Sequence, residues 1–300
     1  MSRSEALRGH AAMGLFSAVV AGSFSLGVRT ANLIDPAAIT VARFVIAAGV
    51  LAGIAALAPG RGRPHALLEA PWRYLALGGA FAGYFVLMFE GLKTAPAVAA
   101  SAVFTLTPIM AAGFGWLLLR QRMTGHLAAA LALGGAGALW VIFRGDPAAL
   151  IRLEIGRGEA IYFAGCALHA LYTPLVRRLN RGEGPVISSL GTLAAGGMLT
   201  AVWGWGALAG TAWGALPAIV WITIFYVAVF ASALSTMLVQ YAALRLPAAK
   251  VMAYTYLTPV WVILLEAAFG AERPGAALLP GLLAILGALA LLLRTDRVAP

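Results

Sequence analysis

Long apolar runs follow one another along the whole chain, separated by short polar segments. Each run has about 18 or more residues, the length that an α-helix needs to cross the hydrocarbon of a bilayer. The polar segments between them are too short to fold as a soluble domain. The pattern therefore predicts an all-α integral membrane protein with ten transmembrane helices, at about 10–28, 37–58, 72–92, 96–119, 125–143, 158–178, 186–208, 215–244, 248–269 and 276–293.

The first run has two interpretations. A charged segment precedes it, as in a cleaved signal peptide. However, the run is longer than a typical signal core, and nine further runs follow it. We therefore expect a retained first helix.

The second half of the chain repeats the first. The Leu-Thr-Pro triplet that ends at Pro108 recurs at Pro259, and other prolines and arginines match at nearly the same spacing. Each half, 1–150 and 151–300, then holds five spans. Because five is odd, the second half enters the membrane in the opposite orientation. The sequence thus predicts one transporter domain made of two inverted five-helix repeats, an architecture recurrent among secondary transporters.

Composition and charge agree with a membrane location. Hydrophobic residues make up 62% of the chain and charged residues 11%, far from the proportions of a soluble domain. The net charge of +10 does not indicate a nucleic-acid partner, because the basic residues concentrate in the loops on one face. The positive-inside rule places that face, with both termini, in the cytoplasm. We expect a multi-pass protein of a bacterial inner membrane whose basic loops contact anionic lipid.

The residues give no sign of an enzyme. Cys166 is the only cysteine, which excludes an intramolecular disulfide and a cysteine-cluster metal site. His10, His65, His126 and His169 are scattered, and neither His-Glu-x-x-His nor Gly-x-Ser-x-Gly occurs. We expect no catalytic residues, no metal and no cofactor. A channel would need a continuous polar lining or a charge ring, and neither is evident in the sequence.

Two prolines indicate where a substrate would bind. Pro108 and Pro259 lie inside the fourth and ninth spans, and each frees the carbonyl four residues earlier, at Phe104 and Thr255. A freed carbonyl must be buried in protein or face a wet cavity. Kinks at equivalent positions of two repeats predict a hinge beside a binding site. The alternative is that proline is simply tolerated in membrane helices.

Several short segments resemble a known family when they are read in order. They are residues 39–44, 91–96, 167–174 and 243–247, together with Thr258-Pro259 and Glu272. In this order and spacing, the chain resembles the drug/metabolite transporter superfamily, specifically its ten-helix bacterial permeases. Gln121 departs from the pattern, because its repeat partner is Glu272. The resemblance implies transport of small organic solutes, often export of amino acids, and the aromatic amino acid exporters are similar in length and layout.

Polar and aromatic side chains within the spans are the candidate substrate contacts. In the sixth span, Tyr162, Cys166, His169 and Thr173 share one helix face, and a histidine at mid-membrane is a functional hypothesis by default. The alternative is a histidine bonded to a neighbouring helix. Aromatic walls would suit flat amphipathic substrates, although Trp and Tyr also form interfacial belts. The predicted substrate-binding set is Tyr84, Met88, His169, Thr173, Tyr226, Tyr254, Thr258 and Trp261.

Two charged residues within spans need a partner or a function. We expect Arg43 to contact helix ends or Glu90, a structural role being favoured over substrate binding. Glu266 is a candidate for proton coupling, as is His169. Because there is no closely spaced acid pair, we favour facilitated diffusion, with proton-coupled antiport and a non-transport membrane protein as alternatives. One chain contains both halves, so a monomer can be complete with a small-molecule substrate and lipid as its partners.

Overall fold

The computed structural model describes residues 3–57, 68–152, 155–270 and 275–294. His65 and Glu272 lie outside the described residues. The described chain is helical between short turns, and its α-helices are α1 Arg3–Thr30, α2 Pro36–Leu57, α3 Trp72–Leu92, α4 Ala97–Phe104, α5 Thr107–Leu119, α6 Gly125–Ile142, α7 Pro147–Arg152, α8 Arg157–Leu179, α9 Pro185–Trp203, α10 Trp205–Gly210, α11 Ala218–Ala228, α12 Ser235–Ala243, α13 Ala248–Ala253, α14 Thr258–Ala268 and α15 Leu279–Arg294. A π-helical turn, Val229–Leu234, joins α11 to α12, and a 3₁₀ turn, Tyr254–Leu257, joins α13 to α14.

Nine helical segments among the described residues are long and apolar enough to cross a membrane. They coincide with nine of the ten predicted spans, so the prediction of an all-α membrane protein is confirmed. The predicted seventh span stops short, because α9 ends at Trp203 and the chain turns at Gly204 before the short α10. The predicted sixth span corresponds to α8, which has 23 residues but is too polar to be counted with the nine.

Helix α8 nevertheless traverses the same thickness as its neighbours. It runs antiparallel to α3 along the whole of both helices. Near one end, Gly91 and Gly158 approach so closely that a Cβ on either would overlap the carbonyl oxygen of the other. Near the other end, Arg73 Nη1 donates a hydrogen bond of 2.7 Å to the carbonyl of Leu179. Since α3 is itself a span, α8 is the tenth crossing.

Equivalent helices of the two halves run in opposite directions. In α6 and α15, the fifth helices of the halves, His126 Nε2 lies 2.9 Å from the carbonyl oxygen of Leu291, and Trp140 Nε1 lies 2.7 Å from that of Ala277. Position rises along one helix as it falls along the other, so the pair is antiparallel. The second helices, α2 and α9, are antiparallel in the same way. The halves therefore have inverted orientations, as their odd span count predicts.

The first helix of each half packs on the opposite half. Helix α1 lies against α11, α12 and α14, whereas α8 lies against α3 and α5. This exchange makes one continuous apolar core that contains residues of both halves. It also brings α1, α3, α4 and α8 together at the centre of the molecule.

A buried ion pair ties α3 to the loop that follows α8. Arg73 Nη2 lies 2.7 Å from Glu183 Oε1, and the two side chains are only 3% and 4% exposed. The backbone N–H of Arg181 donates to the other carboxylate oxygen at 2.7 Å. Burial alone would raise the pKa of the Glu183 carboxyl, but the hydrogen bonds from Arg73 and Arg181 outweigh it and lower that pKa below its ordinary value.

We expect Glu183→Gln to lower the free energy of unfolding by about 3–5 kcal/mol at neutral pH, because Arg73 is left buried without its counter-ion. Since the pKa of Glu183 is lowered by folding, its contribution is present above the ordinary glutamate pKa. The contribution is lost as pH falls through the folded-state pKa. The difference between wild type and variant should therefore shrink on acidification. This difference is measured by unfolding both proteins in detergent and monitoring the loss of the helical circular dichroism signal.

Glu90→Gln is the matched control, because Glu90 forms a half-exposed pair with Lys93 and such pairs contribute little. If Glu183→Gln were no less stable than this control at neutral pH, the buried pair would not hold α3 to the loop.

Candidate functional site

The fourth and ninth spans are broken rather than kinked. Helix α4 ends at Phe104 and α5 begins at Thr107, with Pro108 in its first turn. Likewise, α14 begins at Thr258 with Pro259 in its first turn, after the 3₁₀ turn. Proline suits this position because the first turn of a helix does not use its N–H. The breaks lie where the matching prolines predict them.

The two breaks meet at the interface between the halves. The hydroxyl oxygens of Thr107 and Thr255 lie 3.2 Å apart and are buried. The Thr107 hydroxyl also lies 2.7 Å from the carbonyl of Phe104, and the backbone N–H of Thr258 donates to the carbonyl of Thr255. Both carbonyls that the prolines free are therefore hydrogen-bonded. Broken helices that touch at one point give the centre of the molecule an irregular backbone without unpaired carbonyls at these two positions.

His169 lies beside the breaks in a box of aromatic rings. Its ring is 1% exposed and stacks on Tyr84 with 4.5 Å between centroids. The other rings of the box lie between 5.4 and 6.4 Å from it and belong to Phe104, Phe81, Phe16 and Tyr172. The box joins residues of α1, α3, α4 and α8.

Neither ring nitrogen of His169 has a hydrogen-bond partner among the described residues. The alternative interpretation, a histidine bonded to a neighbouring helix, therefore does not hold. The Oγ1 atoms of Thr173 on α8 and of Thr258 at the start of α14 are also buried, and neither has a hydrogen-bond partner among the described residues. Each unpaired buried group costs about 1–3 kcal/mol, and such groups are rare in native proteins. A polar ligand bound beside His169 would satisfy its two ring nitrogens.

The predicted residues fall into two groups rather than one cavity wall. Tyr84, Met88, His169 and Thr173 are buried on α3 and α8. The predicted aromatic residues of the second half instead bond α1: Tyr254 Oη lies 3.0 Å from His10 Nδ1, Trp261 Nε1 lies 3.3 Å from Ser17 Oγ, and Tyr226 Oη lies 2.9 Å from the carbonyl of Val19.

Helix α1 separates the two groups. Its Phe16 stacks on His169, while Ser17, the next residue, points to α14. One face of α1 thus closes the aromatic box, and a different face is held by the second half. Phe16 and Phe24 were missed by sequence reasoning because nothing distinguishes a phenylalanine in an apolar span. Among the phenylalanines of the box, Phe104 was the one that the sequence could indicate, because Pro108 frees its carbonyl.

A pair of tyrosine hydroxyls closes the box on one side. Tyr84 Oη and Tyr162 Oη lie 3.1 Å apart, and both side chains are buried. Phe24 and Phe104 pack on the ring of Tyr162. The pair links α3 to α8 one turn from the beginning of α8.

Arg43 supports the π-helical turn and does not reach Glu90. Its guanidinium lies over the ring of Phe85 at 3.6 Å. It donates to Ser232 Oγ at 2.8 Å and to two backbone carbonyls, those of Val227 and Ala231, at 3.2 and 3.1 Å. The Glu90 carboxylate is bonded by Lys93 instead. A π-turn displaces carbonyls from the regular ladder, and Arg43 supplies donors for them.

Glu266 is paired with Arg29. The two guanidinium nitrogens of Arg29 lie 2.8 and 3.3 Å from the two carboxylate oxygens. Both side chains are partly exposed, and the pair joins the end of α1 to α14. The pair is thus a polar contact between the two halves.

Two inverted sets of helices, touching helix breaks and an unpartnered polar centre define a class of membrane transport protein. The chain belongs to the EamA-like transporter family, which it matches over residues 8–143 and again over 156–294. The predicted resemblance to the drug/metabolite transporter superfamily is confirmed, and members of the family are transporters rather than enzymes.

A relative and a solved structure are similar over nearly the whole chain. The relative is "Uncharacterized transporter YyaM" of Bacillus subtilis (strain 168), 26% identical over 276 residues, which cover 91% of this chain and 90% of the relative. A crystal structure with 22% identity superposes with a TM-score of 0.72 and covers 99% of this chain and 100% of that one. At that identity the structure supports the fold alone.

We expect Arg43→Met to lower the free energy of unfolding by about 2 kcal/mol or more, because the bonds to Ser232 and two carbonyls are lost in a buried site. Thermal unfolding of the purified protein in detergent measures the change. Arg178→Met is the matched control, since Arg178 is exposed and bonds a single carbonyl, that of Leu118, at 3.3 Å. Equal stability of the two variants would contradict a supporting role for Arg43.

Proposed function

We propose that this protein exports small amphipathic metabolites, foremost aromatic and bulky neutral amino acids, by alternating access. The observation that carries the proposal is His169, whose two ring nitrogens are unpartnered inside an aromatic box at the interface of the halves. Aromatic walls bind a flat apolar group, and a few polar atoms fix its orientation.

The chemistry of the box matches an aromatic amino acid in two respects. The rings around His169 offer stacking partners for an aromatic side chain. The unpartnered atoms of His169 and Thr173, which lie one helical turn apart on α8, offer hydrogen bonds to the polar end of the same molecule. In the described conformation these residues are buried, so the substrate enters only when the box opens.

Alternating access follows from the two repeats. The halves 1–150 and 151–300 move against each other, and the breaks at Pro108 and Pro259 act as hinges. Opening one side of the box requires the Tyr84–Tyr162 contact to part. The substrate is a small molecule, the protein lies in the inner membrane with both termini in the cytoplasm, and one chain suffices as a monomer.

Facilitated diffusion is the preferred mechanism. No acidic side chain among the described residues bonds His169, so its box has no evident proton relay. A proton-coupled antiporter is the second candidate, because the Arg29–Glu266 pair joins the halves and depends on the charge of a carboxylate. The two mechanisms differ in whether flux needs a pH gradient.

Transport by the purified protein in liposomes tests the proposal. A labelled panel of amino acids, sugars and nucleosides is offered with and without a pH gradient. We expect saturable flux of aromatic amino acids that does not need the gradient. Flux that required a pH gradient and vanished in Glu266→Gln would favour the antiporter. No flux of any amino acid would contradict the proposal.

His169→Phe separates function from folding. It keeps the stacking but removes the hydrogen-bonding nitrogens, so we expect kcat/KM to fall about tenfold or more. Because an unpaired buried polar group is removed, the variant should be at least as stable as wild type. Transport rates and thermal unfolding measure the two effects.

The matched control is His126→Phe, since His126 is exposed and lies outside the aromatic box, where it contacts the carbonyl of Leu291. It should transport at the wild-type rate. A well-folded His169→Phe variant with wild-type kcat/KM would remove His169 from the site.

A further inference from the structure

One face of α8 is polar along the entire helix. Residues 3 or 4 positions apart lie on one face, and this spacing connects the following side chains: Glu159, Tyr162, Cys166, His169, Thr173 and Arg177. His169 in the middle belongs to the aromatic box. Glu159 and Arg177 at the two ends are not used by the proposed function.

The polar face connects two cavities at opposite ends of α8. A cavity of about 430 Å³ includes Glu159 in its lining, with Thr94, Arg144 and Asp146 around it. A second cavity of about 540 Å³ includes Arg177 and Arg245. The first cavity lies beyond the Tyr84–Tyr162 contact, and Glu159 is about 15 Å along α8 from His169 at the usual helical rise.

Glu159 is the unusual group of the first cavity. Its side chain is only 7% exposed, yet no ion pair or hydrogen bond to its carboxylate exists among the described residues. Of the cations around the cavity, Lys93 pairs with Glu90, and Arg144 lies on the exposed wall without an ion pair to Glu159. The carboxylate oxygens of Glu159 are not fully buried, and they lie at the first turn of α8, where the helix N-terminus favours a negative charge that no side chain neutralises among the described residues.

Asp146 and Glu159 differ in this respect. Asp146 Oδ1 accepts a hydrogen bond of 2.8 Å from the backbone N–H of Ala148, so this carboxylate caps α7. Glu159 extends beside Gly156, where a Cβ would overlap its carboxylate oxygen. The absence of a side chain at Gly156 leaves space for the carboxylate at the cavity wall.

We propose that this cavity binds the ammonium group of the substrate, with Glu159 as its acceptor. The inference rests on the proposed function and specifies its substrate class: solutes that carry a primary ammonium group, as amino acids and amines do. The cavity is large enough for such a molecule, and its bare carboxylate supplies the missing negative partner. Because this cavity and the aromatic box are separate, the substrate occupies them at different times. The cavity holds the ammonium group either before or after the aromatic part occupies the box.

Ligand binding to the purified protein in detergent tests the site without requiring transport. Isothermal titration compares phenethylamine with 2-phenylethanol, which has the same ring and no ammonium group. We expect Glu159→Gln to raise the Kd for phenethylamine about tenfold or more and to leave the Kd for 2-phenylethanol unchanged. Glutamine keeps the size of the side chain, and thermal unfolding verifies that the variant folds.

The matched control is Glu90→Gln. Glu90 lies near the end of α3 that packs on the start of α8, and Lys93 already neutralises its carboxylate. It should change neither Kd. An equal loss of both ligands in Glu159→Gln, an unchanged Kd for phenethylamine, or no binding of phenethylamine by wild type would each overturn the ammonium site.

The site and the proposed function fail separately. If phenethylamine binding depends on Glu159 but liposomes show no amino acid flux, the site stands and the transport proposal falls. If wild type transports phenylalanine and Glu159→Gln binds phenethylamine as wild type does, transport stands and the ammonium site falls.

Discussion

The structure depends on one constraint: a helix too polar for lipid must still cross the membrane. Helix α8 carries a histidine, two tyrosines and a threonine at membrane depth, and hydrocarbon offers them no hydrogen bonds. The helix is therefore enclosed by α3 on one side and by α4 and α5 on another. Close approach of Gly91 and Gly158 allows α3 to cover it without a gap. The position of the candidate site follows from that enclosure.

At the centre of the protein, irregular backbone carbonyls have hydrogen-bond donors, whereas the side chain of His169 has no hydrogen-bond partner among the described residues. Where the helices break, the freed carbonyls of Phe104 and Thr255 receive donors, and Arg43 does the same at the π-turn. At His169 the side-chain nitrogens are left unpaired. Backbone irregularity is thus supported at these positions, while the ring of His169 keeps two unpaired nitrogens.

Much of the fold was predictable from sequence, because hydrophobic run lengths and repeated prolines reflect bilayer thickness and helix geometry. The helix breaks at Pro108 and Pro259 were predictable for the same reason. The division of the site was not. Tyr254 and Trp261 share a face of the ninth span, and Tyr226 lies on the eighth. Whether these faces meet α1 or a cavity depends on how the halves pack. Phe16 and Phe24 carry no signal at all, since phenylalanine is ordinary in a span.

The exchange of first helices between the halves has a consequence for how the molecule assembles. In a single half, the first helix would lack most of its neighbours, because these belong to the other half. In the second half that helix is α8, the polar one, whose cover comes from α3 and α5 of the first half. Each repeat therefore covers the first helix of the other. When α8 is synthesised, α3 and α5, which cover it, are already in the membrane. Helix α1, in contrast, lacks its second-half neighbours until α14 is made.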